Sequence, residues 1–140
     1  MIVSPSKKMI GRREMASLPE FKLNSIEVKI DTGAYSCSIH CSSIREEDNV
    51  LYVVFLDEKH PQFKSNIFTF SNFTKKKVKS SSGHVQERYF IKTIIQLGDT
   101  TFPTEFSLTK RSGMRYPILL GRKLLNKNFI IDTSHKHLLK

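Results

Sequence analysis

The residues able to do chemistry crowd into one stretch, VKIDTGAYSCSIHC, residues 28–41. An alternating run (Ile26, Val28 and Ile30 against Glu27 and Lys29) ends on Asp31, followed by Thr32 and Gly33. A carboxylate there suits acid–base work. Hydrolysing a peptide with neither metal nor covalent intermediate needs an activated water and a proton donor. Two facing carboxylates can supply both by sharing one proton, because like charges a few ångströms apart resist double ionisation. The resulting pKa values belong to the pair. Cys37, His40 and Cys41 form a rival set of soft ligands, and zinc takes four donors, or three plus water. On a strand, however, Cys37 and His40 point to opposite faces, and a free cysteine commonly packs as a small apolar residue. There is no His-Glu-x-x-His and no phosphate loop ending in Gly-Lys-Ser/Thr. We expect no metal site and no cofactor.

The elements that must position Asp31 are read from periodicity. Residues 26–30 alternate, and 50–56 and 67–73 are short apolar runs rich in β-branched and aromatic residues. From Tyr89 to Leu97 alternate residues share one face, Gly98-Asp99 is a turn signal, and Phe102, Thr104, Phe106 and Leu108 share a face on the return. Residues 88–108 therefore predict a hairpin. Ile118-Leu119-Leu120 reads as a buried strand ending at Gly121, RKLLN as a short helix, and NFIID as a last strand. The stretch TKKKVKSSSGHVQ reads as an exposed hairpin tip or mobile loop. The pattern is all-β, a barrel or sandwich of short strands.

The chain has 140 residues, enough for one domain with a real core. We expect an N-terminal extension over 1–9 and a single domain over 10–140. No stretch has the ~18–20 apolar residues a membrane span needs, and the opening residues lack a signal-peptide block. A cytoplasmic location without membrane contact is the expectation. Two cysteines are too few for a disulfide scaffold. The formal charge of +10 favours an anionic partner, either an acidic polypeptide or nucleic acid.

Three features converge: Asp31-Thr32-Gly33-Ala34 after a strand, Ile118-Leu119-Leu120-Gly121 before a short helix, and a glycine-bearing hairpin between them. Together they resemble one lobe of a retropepsin-type aspartic protease. With MIGRREMASLPEF, FSLTKRSGMRYPILLGRKLL and NFIIDTS, the chain is similar to a bacterial family of small retropepsin-like proteins that carries the name ATP-dependent zinc protease. Members are linked to ATP-grasp ligases that add glutamate to a ribosomal protein. The resemblance implies a closed acid-protease-like barrel, one lobe per chain, with one short helix near the C-terminus. It implies Asp31 as the catalytic acid/base, Thr32 as a tie across subunits, and Gly33 and Ala34 as the tight loop. It implies Gly121 as the close of a ψ-shaped support and Ser82, Gly83 and His84 as the flap. A side chain on Gly33 is expected to block the approach of backbone N–H groups to the carboxylate. The zinc and ATP of the family's name have no motif here.

A second Asp-Thr occurs at Asp132, but only 135–140 follow it, without room for a second lobe. We read Asp132 as a strand-end residue and expect the second carboxylate from Asp31 of another copy, across a two-fold axis. Arg88, Arg111, Arg115 and Arg122 are candidates to border the cleft and bind anionic groups of an acidic or glutamate-modified polypeptide. The alternatives are a non-enzymatic basic barrel binding nucleic acid through Lys75, Lys76, Lys77 and Lys79 with Phe68, Phe70, Phe73 and Tyr89, and a zinc-dependent peptidase. Phe68 and Phe70 share what we expect to be the core face. His135 and His137 suggest a terminal surface strand. Residues 45–80 otherwise carry no motif.

Overall fold

A computed structural model describes residues 7–79, 83–110 and 115–139. Its strands, in chain order, are β1 (Lys8–Ile10), β2 (Arg13–Leu18), β3 (Leu23–Ile30), β4 (Cys37–Glu47), β5 (Val50–Phe55), β6 (Phe68–Phe70), β7 (Thr74–Lys79), β8 (Val85–Leu97), β9 (Thr100–Thr109), β10 (Ile118–Leu120) and β11 (Phe129–Ile131). One short helix, α1 (Arg122–Leu125), follows β10, and a single 3-10 turn spans Pro19–Phe21.

Six strands close a barrel in the order β10-β3-β2-β8-β9-β4, with β4 returning to β10. The all-β class, the barrel and the short helix agree with the expectation. The driving pattern is period two. On β8, Ile91, Thr93, Ile95 and Leu97 are buried while Lys92, Ile94 and Gln96 are exposed. The predicted 88–108 hairpin is β8–β9, turning at Gly98 with φ +63°. Val28, Ile39, Phe106, Ile118 and Leu120 are wholly buried in the barrel. β4 runs on past the barrel to pair with β5, and β5 with β6. Under that second layer Phe21 stacks on Phe55 at 4.2 Å, with Phe68 and Phe70 edge-on to Phe21. Those two phenylalanines therefore face inward, as expected for the core face.

Elsewhere the reading differed from the structure. Residues 74–79, in the stretch expected to be a hairpin tip or mobile loop, form a strand, β7, that pairs with β8 as one arm of a hairpin. Two of its lysines have acidic partners, Lys75 with Glu46 at 2.9 Å and Lys76 with Glu105 at 3.3 Å. The expected 67–73 strand is confined to Phe68–Phe70. The tail around His135 and His137 is not a strand. It crosses Gly11–Arg13, where Arg12 N–H donates to His135 O and His137 N–H to Arg13 O. Glu14, entirely buried, accepts from the N–H groups of Gly11, Leu138 and Leu139.

Candidate active site

The Asp31 loop is held from behind by β10. This strand lies between β3, its parallel neighbour, and β4, its antiparallel one. Asp31 N–H donates to Leu120 O at 2.9 Å, while Arg122 and Lys123 N–H donate to Ala34 O and Tyr35 O, each at 2.9 Å. Gly121 is where the two segments cross. A Cβ there would lie 2.6 Å from Ser36 O and 2.7 Å from Tyr35 O. No side chain fits, so glycine is required at the crossing. The Arg122 guanidinium adds a hydrogen bond to Thr32 O at 3.0 Å.

Asp31 is half-buried, and Gly33 N–H donates to its Oδ1 at 3.1 Å. The expected crowding at Gly33 is not found. A Cβ there would meet only Asp31 Oδ1, at an ordinary 3.5 Å. Thr32 is exposed, and its hydroxyl makes no hydrogen bond among the described residues. The carboxylate opens on a cleft of about 330 Å³ that is also lined by Tyr35, Ser38, Arg88, Ser107 and Thr109. Val78 and Phe90 bring the β7–β8 hairpin to the same cleft. Sequence reasoning missed the hydroxyls. Ser38 and Ser107 are register partners on β4 and β9, and only that long-range pairing brings them together.

A sequence model of the RimB-like family, described as the retropepsin-like aspartic endopeptidase RimB, matches residues 9–140. The chain belongs to this family. It is 33% identical over 138 residues to a probable alpha-L-glutamate ligase of Shewanella halifaxensis, and 30% identical over 137 residues to one of Parasynechococcus marenigrum. Each alignment covers 94% of this chain but only 30% and 29% of those proteins, so the chain spans about a third of their length. Among solved structures it is similar to Lpg0085 of Legionella pneumophila, a protein of unknown function. The TM-score is 0.70 with 26% identity, covering 96% of this chain and all of that one.

The zinc in the name given to such proteins finds no fit here. Among the described residues no three His, Cys, Asp or Glu side chains are grouped to hold a metal ion. Burial pushes the Cys37 thiol up to about 11, against a hydrogen bond from Gly121 N–H and the Lys123 charge, which lower it. Burial drives Cys41 up still further. Both are free thiols packed in the barrel interior. His40 is buried on the other face of β4, its Nε2 3.0 Å from Asp57 Oδ2.

The arginines divide. Arg88 lines the Asp31 cleft. Arg122 ties the loop backbone and lies 5.9 Å from the Tyr35 ring. Arg115 lines a neighbouring cavity with His40 and His60. Arg111 and Ser82 fall outside the described residues. Gly83, with φ +87°, and His84 are exposed at the end of the β7–β8 hairpin and do not line the cleft. Asp132 is half-buried in the turn after β11, its Oδ1 accepting from Ser134 N–H at 3.0 Å.

Proposed function

We propose that this chain is an aspartic endopeptidase that works as a homodimer, with the Asp31 carboxylates of two copies sharing one water and one proton. The observation that carries this reading is a half-exposed carboxylate on a loop sewn down at four backbone points, facing a cleft with no second carboxylate among its described lining residues. A dyad then needs a twin from outside the chain, and the exposed Thr32 hydroxyl beside Asp31 suits a tie to that twin. In the pair, one carboxylate deprotonates the water while the other protonates the scissile carbonyl, and the shared proton sets their different affinities.

The substrate class we propose is an acidic or glutamate-modified polypeptide. The +10 charge, the position of Arg88 in the cleft and the glutamate-ligase names of the relatives all favour it. Polypeptide cleavage in the cytoplasm, without metal or nucleotide, completes the reading. Asp31→Asn should lower cleavage of an acidic peptide by about 10²–10⁴-fold. Sedimentation velocity should still find the dimer, and EDTA should leave the wild-type rate unchanged. Full cleavage by Asp31→Asn, or loss on chelation with rescue by zinc, would overturn the mechanism.

A further inference from the structure

The face of β4 that carries Ser38 into the Asp31 cleft does not end there. Side chains two apart on a strand share a face, so His40 stands next in that row. β10 brings Leu119 opposite Ser38, and two residues earlier Pro117 O accepts from His40 N–H at 2.8 Å. Leu119 and Ser38 line the first cavity, while Pro117 and His40 line a second of about 430 Å³. Two residues at about 3.3 Å each put the cavities roughly 6.6 Å apart along the strand. Same-side residues of an extended peptide have that same spacing.

The second cavity is lined by uncommitted donors. Asp57, its one carboxylate among the described residues, has both oxygens engaged. Oδ1 takes Lys59 N–H at 3.0 Å and Oδ2 pairs with His40. The carbonyls of Pro117, Asp57 and His60 accept backbone N–H groups. His60 Nδ1 accepts from Gln62 N–H at 3.0 Å, which leaves the ring proton on Nε2. Burial lowers its proton affinity, against the pull of Asp57, so it serves as a neutral donor. Lys59 and Arg115 are exposed and have no ion-pair partner among the described residues. The Arg115 guanidinium lies 5.6 Å from the Tyr116 ring, whose hydroxyl accepts from Arg13.

We propose that this cavity is a second subsite of the Asp31 cleft, holding a carboxylate side chain of an extended peptide two residues along from the one above Ser38. Arg115, Lys59 and His60 Nε2–H are its donors. The subsite rests on the peptidase reading for its orientation, but binding can be measured without cleavage.

The test uses Asp31→Asn chains and two fluorescent hexapeptides, one of glutamates and one of glutamines, followed by anisotropy. Adding Arg115→Gln should raise the Kd of the glutamate peptide about fivefold, and His60→Gln about twofold, with the glutamine peptide unmoved. Lys92→Gln, on the exposed face of β8, removes the same charge elsewhere and should leave both Kd values unchanged. Glutamate-peptide affinity indifferent to Arg115→Gln would overturn the subsite, as would an equal loss with Lys92→Gln or no binding by any chain. Should the wild type fail to cut while Arg115→Gln still weakens glutamate binding, the peptidase reading falls and the subsite stands.

Discussion

Glu14 on β2 and Asp31 just past the end of the neighbouring β3 are two carboxylates with opposite fates. Glu14 is wholly buried, and three backbone N–H groups at 2.7–3.1 Å point at its oxygens. Asp31 is half-exposed and receives one such bond, from Gly33. The regions share a hinge: Arg12 O accepts from Ile30 N–H at 3.0 Å, while Arg12 N–H donates to His135 O at 2.8 Å. Each is also pinned by a glycine with no room for a methyl group, Gly121 against Ser36 O and Gly11 against the backbone of His135 and Lys136. The supports are alike and the carboxylates are not. A carboxylate whose lone pairs are taken up by the backbone is a fastener. One held firmly but left short of donors keeps its capacity for a proton, a water or a twin.

The sharpest way to break the contrast is to remove the fastener. Glu14→Ala strands three N–H groups at a buried site and should release the tail, costing about 3 kcal/mol. Urea unfolding should report the loss, and hydrogen exchange should place it at Leu138 and Leu139. Cleavage per folded molecule should change little. If Glu14→Ala were as stable as the parent, the tail would not depend on that carboxylate.

The paired glycines sharpen the same contrast at smaller cost. Gly11→Ala and Gly121→Ala should each destabilise by about 1–3 kcal/mol through overpacking against backbone. Their effects on activity should separate, because a shifted Gly121 displaces the Asp31 loop, whereas a shifted Gly11 displaces the tail. Peptide cleavage measured well below each melting temperature distinguishes them. Equal losses of activity would mean the two supports are mechanically one.

What could be read from sequence follows the same division. The β8–β9 hairpin, β10, α1 and β11 were legible because each keeps a clean apolar period or a glycine stop. Asp31 and Gly121 were legible for their spacing to those elements. β4 was not, since Cys37–Glu47 mixes thiols, hydroxyls and charge and is buried on both faces near His40. β7 was hidden by lysines whose partners, Glu46 and Glu105, lie on β4 and β9. Glu14 carried no signal in the sequence, because two of its three donors come from the far end of the chain. Arg115 belonged to a cleft on charge alone, and only the folded chain sets it against the second cavity beside His60.

Cys37 refines the comparison from beneath the Asp31 loop, where Gly121 N–H points at its sulfur from 3.4 Å. Burial raises the folded thiol to about 11 from an ordinary 9.0, so the native state favours the protonated form. Below pH 9 that preference contributes in full. As pH climbs from 9 through 11 the unfolded chain gives up its proton first, and stability is lost. By pH 10 the loss should be about 1.4 kcal/mol. Urea midpoints of wild type and Cys37→Ala, each referred to its own value at pH 8, isolate this contribution because Cys41, the lysines and the tyrosines are common to both. The wild-type curve should fall further across the window. Parallel curves would mean that the sulfur under the Asp31 loop is solvated, and that the support behind the carboxylate is looser than its backbone bonds imply.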